Sequence, residues 1–98
     1  MMRDDHASAE PRVGPVLRVC ALTQVLVEVL RAANSQVHVV DRGSYLRVSA
    51  PGALVLRREA VEDALGQSFR LPSDLEFVMP SFAGRLIISE EQAEWRAT

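Results

Sequence analysis

The stretch YLRVSAPGALVLRREAVEDALG, residues 45–66, decides how the chain folds. Residues 45–50 alternate between polar and apolar side chains, which predicts a strand with one buried and one solvated face. Pro51-Gly52 is a strong turn dipeptide, and residues 53–56 form another apolar run of strand length. With a preceding run at residues 37–40, these segments predict a three-stranded antiparallel meander. The predicted solvated face of its middle strand carries Tyr45, Arg47 and Ser49.

Two helices flank the predicted meander. Residues 22–33 place apolar side chains at i, i+3, i+4, i+7, i+8 and i+11, which make one stripe along a helix that ends at Asn34-Ser35. Residues 58–65 predict a shorter helix, because Gly66 stands where a left-handed cap is expected. Its inward side chains are predicted to be Val61, Ala64 and Leu65, and a further helical turn is predicted at residues 71–75.

The rest of the chain completes an α/β (α+β) fold, a small single domain with short helices packed on antiparallel β-sheets. Residues 1–12 are polar and charged, and we expect them to form a flexible N-terminal tail ahead of a domain spanning residues 13–98. Because Pro15 lacks an N–H group, residues 13–19 are predicted to lie at a sheet edge or in an extended lead-in. A polar turn at residues 89–92 separates the last two apolar runs.

The composition limits the classes of function. The chain has 98 residues, 48% of them hydrophobic, and a net charge of −2, which fits one domain with one core. No stretch concentrates basic residues, which argues against a nucleic-acid partner. No apolar run approaches the roughly 20 residues of a membrane helix, and no signal peptide follows the N-terminus. We therefore expect a cytoplasmic protein without a membrane partner.

The residues that could carry chemistry do not form a recognisable site. His6 and His38 lack further ligands at metal-binding spacing, and His38 is predicted on the solvent side of a strand. The serines include no nucleophile elbow, and the glycines form no phosphate loop. Cys20, the only cysteine, is predicted to be a small buried apolar residue, with a reactive thiol as the alternative. We expect a protein without catalytic residues, metal or cofactor.

The segment at residues 80–85, PSFAGR, departs from this ordinary pattern. Pro80 removes a ladder donor, and Gly84 allows a bulge or the close approach of another backbone. Phe82, beside small residues, is typical of an anchor on a surface that a partner covers. A core phenylalanine at a sheet bend is the alternative interpretation, and the sequence leaves both open.

Four blocks of sequence occur in an order that is typical of one known family. They are VGPVLR at residues 13–18, DRGSYLRV at 41–48, the run from Leu54 to Phe69, and residues 75–85 with SFAG at their centre. In this order and spacing, residues 13–96 resemble the effector, or coupling, protein of bacterial multicomponent di-iron monooxygenases. That family includes the regulatory components of methane, phenol, toluene and alkene monooxygenases. The VGP opening resembles the toluene-type effectors most.

The resemblance implies a cofactor-free regulatory protein that is not itself an enzyme. Such a protein binds the hydroxylase of an aromatic or alkene monooxygenase near its di-iron centre and couples electron and oxygen use to hydroxylation. A stand-alone sensor domain for a small ligand is the alternative, and the free chain is expected to be monomeric. The partner-binding residues that the resemblance and the predicted solvated face suggest are Ser81, Phe82, Ala83, Gly84, Arg85, Tyr45 and Arg47.

Overall fold

Two antiparallel β-sheets and three short helices make up the fold in the computed structural model, which describes residues 10–98. One sheet has four strands in the order β2-β3-β1-β5, and the other has three in the order β4-β7-β6. This arrangement confirms the predicted α+β class. In chain order the elements are β1 Arg12–Arg18, α1 Ala21–Ala33, β2 His38–Asp41, β3 Tyr45–Pro51, β4 Ala53–Arg57, α2 Arg58–Leu65, α3 Ser73–Val78, β5 Ser81–Ala83, β6 Arg85–Ile88 and β7 Gln92–Arg96.

A single hydrophobic core joins both sheets to all three helices. Leu26 of α1, Leu75 of α3 and Trp95 of β7 have no exposed surface. Burying a large apolar side chain contributes about 1.5–3 kcal/mol relative to leaving it in water, so this cluster supplies the main stabilising term. The apolar stripe predicted for residues 22–33 is the buried face of α1, and its inner side includes Leu26, Val29 and Leu30. Within residues 10–98, no helix has the length and apolar character needed to cross a membrane.

The C-terminus of α1 is fixed to the three-stranded sheet by one side chain. The Asn34 amide donates to the carbonyl oxygens of Leu30 and Val55, at 2.9 Å each, and its Oδ1 atom accepts the Val55 N–H at 3.0 Å. These bonds satisfy a terminal helix carbonyl and both backbone groups of a β4 residue. The predicted end of the helix at Asn34 is confirmed, and the same residue orients α1 on the sheet.

The predicted three-stranded meander is wrong in its third strand. β3 pairs with β2 on one side and with β1 on the other, through five register pairs with β1 that run from Arg12 opposite Pro51 to Arg18 opposite Tyr45. Both edges of β3 are therefore occupied. β4 leaves at the Pro51-Gly52 turn and pairs with β7 in the other sheet, where Leu54 lies opposite Trp95.

The position predicted for β1 is also wrong, because this strand lies inside the four-stranded sheet. Its ladder with β3 is interrupted at Gly14-Pro15, so the missing proline donor falls where pairing is already broken. Gly14 has a φ of +148°, and a Cβ atom there would lie 2.1 Å from the Val48 carbonyl oxygen. β1 begins at Arg12, the last residue of the predicted tail, while residues 1–9 lie outside the described residues.

The helical segments after β4 follow the sequence pattern with two differences. α2 ends at Gly66 in the left-handed conformation, as predicted, and Phe69 is buried beyond it, with its N–H donating to Glu62 at 2.9 Å. Ala64 is exposed, which contradicts the prediction that it faces inward, because the buried face of this short helix reaches no further than Val61 and half-buried Leu65. The predicted turn at residues 71–75 is a longer helix, α3.

Gly14→Ala should destabilise the fold strongly, because its Cβ would collide with backbone and its φ disfavours any side chain. Gly43→Ala is the matched control, since φ is +91° there but no atom lies within 4 Å of the added Cβ. We expect the control to lower the free energy of unfolding by about 1 kcal/mol and Gly14→Ala by about 3 kcal/mol or more. Urea denaturation measures both values. Equal losses would contradict the close approach of β1 to β3.

Candidate partner-binding site

The segment Ser81–Arg85 links the two sheets and is exposed along its whole length. Its first three residues form β5, the edge strand of the four-stranded sheet, and Arg85 begins β6 in the other sheet. The Phe82 side chain is 43% exposed. Phe82 is therefore not a core residue of this fold, and the interpretation that places it on the surface is the one that fits the structure.

Gly84 makes this crossing between sheets possible. A Cβ atom on Gly84 would lie 2.6 Å from Cγ1 of Val13 and 2.7 Å from the carbonyl oxygen of Arg96. Its φ of +95° also lies in the region that favours glycine. The chain thus passes closely between β1 and β7, which agrees with the close approach predicted at this position. Because of this contact, the position of β5 is fixed by both sheets.

A shallow depression of about 300 Å³ lies on the outer face of the four-stranded sheet. A row of cross-strand neighbours passes through it, from Val40 on β2 to Arg47 on β3, Val16 on β1 and Ser81 on β5. The Phe82 side chain also lines it. Two parts of the predicted site, β5 and Arg47, are therefore brought together on one surface.

The other predicted residues lie apart from the depression. Tyr45 is 40% exposed and lies opposite Arg18 at the end of β1, and Gly84 and Arg85 continue from β5 into the second sheet. None of these three residues lines the depression. They remain candidates for contact with a partner on the basis of exposure alone. His38 is exposed on β2, as predicted.

Eight of the residues that line the depression were not predicted as partner contacts, and Arg12, Val40 and Arg42 are among them. Val40 is 46% exposed. It stands two residues after His38 on the same strand, and side chains two residues apart lie on the same face of a sheet. The sequence pattern places Arg12 in the predicted tail. Its Nε donates to Ser49 Oγ at 3.0 Å, and its Nη2 donates to the carbonyl oxygens of Gln36 and Ser49 at 2.8 and 2.9 Å.

Phe77 is a further exposed aromatic that sequence reasoning missed. It lies on α3, and 81% of its surface is accessible, while Leu75 and Val78 of the same helix are buried. A single exposed apolar side chain is common on protein surfaces, so Phe77 alone does not define a site.

Cys20 is exposed, which contradicts the prediction that it is buried. It occupies the turn between β1 and α1, where it precedes the first residue of the helix, and its Sγ lies 3.4 Å from Oγ1 of Thr23. The Thr23 Oγ1 atom also lies within hydrogen-bond distance of the Arg18 carbonyl oxygen. The hydrogen bond with the Thr23 side chain, and then the N–H groups of Thr23 and Leu22, lower the pKa of the Cys20 thiol, and partial burial opposes them.

These observations define a class of protein, a small binding module that presents one exposed sheet face and an edge segment. Among residues 10–98, no group of three or more His, Cys, Asp or Glu side chains is placed to hold a metal ion. Residues 11–96 match the model of the MmoB/DmpM family. The chain therefore belongs to this family of effector proteins of multicomponent monooxygenases. It is a non-catalytic regulatory component, as the sequence predicted.

A relative and two solved structures show the extent of the similarity. The effector subunit of the alkene monooxygenase system of Xanthobacter autotrophicus Py2 is 38% identical over 88 residues, which cover 88% of this chain and 86% of that subunit. A chain from a structure of a phenol hydroxylase–regulatory protein complex has a TM-score of 0.82 at 19% identity, covering 90% of this chain and 100% of its own length. A second such structure gives a TM-score of 0.76 at 21% identity, with coverages of 88% and 99%.

The Cys20 thiol should react with iodoacetamide in the folded protein, because it is exposed and its pKa lies below the ordinary thiol value. The thiolate is the reactive form, so the rate should rise with pH through a midpoint below that of a free cysteine. Thr23→Val, which removes the hydroxyl and keeps the side-chain volume, should raise this midpoint. Mass spectrometry of alkylation against pH measures it. A midpoint that Thr23→Val leaves unchanged would contradict the role of Thr23.

Proposed function

We propose that the chain docks on the hydroxylase component of a di-iron monooxygenase and couples electron and oxygen use to hydroxylation of its substrate. The observation that carries this proposal is the exposed segment Ser81–Arg85 in a member of an effector family. β5 within this segment is a sheet edge, whose backbone donors and acceptors are available to a partner. Phe82 supplies an aromatic side chain of the kind that dominates binding energy at interfaces.

The proposed mechanism is differential binding to two states of the hydroxylase. The hydroxylase holds the iron that carries the oxygen chemistry, and the effector changes the population of hydroxylase conformations. A tenfold preference for one state shifts that equilibrium by about 1.4 kcal/mol. Such a preference requires a surface of defined shape. The contacts of Gly84 with Val13 and Arg96, which hold the docking segment between two sheets, support this role.

The proposed substrate of the monooxygenase is an alkene or an aromatic hydrocarbon. The relative from an alkene monooxygenase system supports the first, and the resemblance of residues 13–15 to the opening of toluene-type effectors supports the second. The proposed setting is the bacterial cytoplasm, where the free chain acts as a monomer that meets one hydroxylase protomer. Family membership favours this role over that of a stand-alone ligand sensor.

Reconstitution tests the coupling role directly. A candidate hydroxylase, with its reductase and electron-transfer protein, is assayed with and without the chain for product formed and peroxide released per electron supplied. We expect the chain to raise the product yield and to lower peroxide release, because a coupled hydroxylase directs reduced oxygen to the substrate. An unrelated protein of similar size and charge is the control. If product and peroxide are the same with and without the chain, the coupling role is wrong.

Phe82→Ala should weaken binding to the hydroxylase while leaving the thermal stability of the free chain nearly unchanged. The side chain is 43% exposed, so its loss opens no core cavity, whereas a buried aromatic anchor at an interface is worth about 2 kcal/mol or more. Phe77→Ala is the matched control, since it removes the same side chain from a position outside the segment. Isothermal titration calorimetry and thermal melts provide the two readouts.

Two outcomes would contradict the prediction for Phe82. Unfolding of Phe82→Ala would mean that the side chain is structural. Equal losses of affinity in Phe82→Ala and Phe77→Ala would mean that any exposed aromatic contributes and that the segment is not the docking site.

A further inference from the structure

We infer that the depression on the four-stranded sheet is a socket for an apolar side chain of the hydroxylase. On the hydroxylase surface, carboxylates surround this apolar side chain. This inference rests on the proposed function and adds the chemistry of the partner surface. The depression brings apolar surface and several guanidinium groups together on one face of the chain. Its partner must therefore offer both an apolar group to fill it and negative charge to meet its rim.

The apolar part of the socket is built by three strands. Val16 of β1 lies between Arg47 and Ser81 in the cross-strand row, while Val40 and Phe82, at 46% and 43% exposure, lie on either side. Gly14 lines the depression beside Val16 and adds no side chain to fill it. An apolar group of the partner that entered would be buried between Val40 on one side and Phe82 on the other. The hydrophobic effect favours that burial by roughly 25 cal/mol for each Å² of apolar surface removed from water.

The charged residues of the four-stranded sheet are mostly positive. The four-stranded sheet with its β2–β3 turn carries four arginines, at positions 12, 18, 42 and 47, and one acidic residue, Asp41. Asp41 Oδ1 accepts the Gly43 N–H at 2.7 Å in that turn. The remainder of residues 10–98 carries ten Asp and Glu side chains and six arginines. A chain of net negative charge thus presents one positive face, which steers an acidic partner to it.

The ion pairs within residues 10–98 do not neutralise this face. They join Arg58 to Glu62 and Glu91, and Arg96 to Glu94, all outside the four-stranded sheet. Arg42 and Arg47 are exposed and line the depression. Neither guanidinium group forms an ion pair with a carboxylate of residues 10–98, and bidentate pairing with a carboxylate on another molecule gives both energy and orientation.

Arg12 gives the socket a preorganised rim. Its three hydrogen bonds hold the guanidinium against Ser49 and the Gln36 carbonyl group. Gln36 adopts a φ of +58°, a left-handed conformation that is uncommon for residues other than glycine. The fixed side chain loses little conformational entropy on binding, so its attraction for a carboxylate is retained in the affinity.

A double substitution tests the charged rim. Arg42→Gln/Arg47→Gln removes two positive charges from the socket, and Arg31→Gln/Arg70→Gln removes two exposed positive charges from outside it. Each variant is titrated against the hydroxylase that binds the wild-type chain, at several salt concentrations, after circular dichroism has verified its fold. We expect the socket variant to bind at least about tenfold more weakly and to show a shallower salt dependence, with the control close to wild type.

A single substitution tests the apolar part independently. Val40→Asp places a carboxylate where an apolar group and negative charge of the partner are expected to enter, so it should abolish binding to the hydroxylase. Val40→Ala should lower the affinity by less than about tenfold. Val40 is exposed, so neither change should unfold the chain.

Each outcome supports the socket or overturns it. Loss of affinity confined to the socket variants supports it. If wild type binds the hydroxylase and the socket variants bind equally well, the socket is wrong while the proposed function stands. If wild type binds no hydroxylase, both fail. Saturable binding of benzoate to the isolated chain, lost in Arg42→Gln/Arg47→Gln, would also overturn it by assigning the depression to a small anion.

Discussion

The whole arrangement depends on how closely β1 can approach β3. Where Gly14 meets the Val48 carbonyl group, any larger residue would hold the two strands apart. This contact lets β1 lie inside the four-stranded sheet although it contains a proline, because the interruption in the ladder and the missing donor coincide. With β1 in the centre, β5 must form the edge and β4 must join the other sheet. The exposure of the segment Ser81–Arg85 follows from that topology.

Local patterns in the sequence were sufficient for two of the main elements. The apolar stripe of residues 22–33 and the alternation of residues 45–50 depend only on residues that are close in sequence. Both elements form as predicted. The partner of β4 could not be read this way, because β7 lies about forty residues away and the pairing depends on burying Trp95 against Leu54. A Pro-Gly turn between two strand-like runs does not reveal whether the chain turns back or changes sheets.

The candidate site was predicted in part, for similar physical reasons. Small neighbours around Phe82 are compatible with both a buried bend and an exposed anchor, so exposure had to come from the tertiary structure. Arg12 was missed because it stands at the end of the predicted polar tail, while its hydrogen-bond partners, Gln36 and Ser49, are distant in sequence. Cys20 has apolar neighbours on both sides, yet it lies in a turn, where those neighbours do not enclose it.

Trp95 gives this small protein a built-in optical reporter. It is the only tryptophan, it is fully buried, and its indole N–H has no hydrogen-bond partner among residues 10–98. Its fluorescence should therefore lie toward the blue, as for an indole in an apolar solvent. The next residue, Arg96, contacts Gly84 at the crossing between sheets. Trp95 fluorescence is therefore a label-free signal with which to monitor a change at the segment Ser81–Arg85.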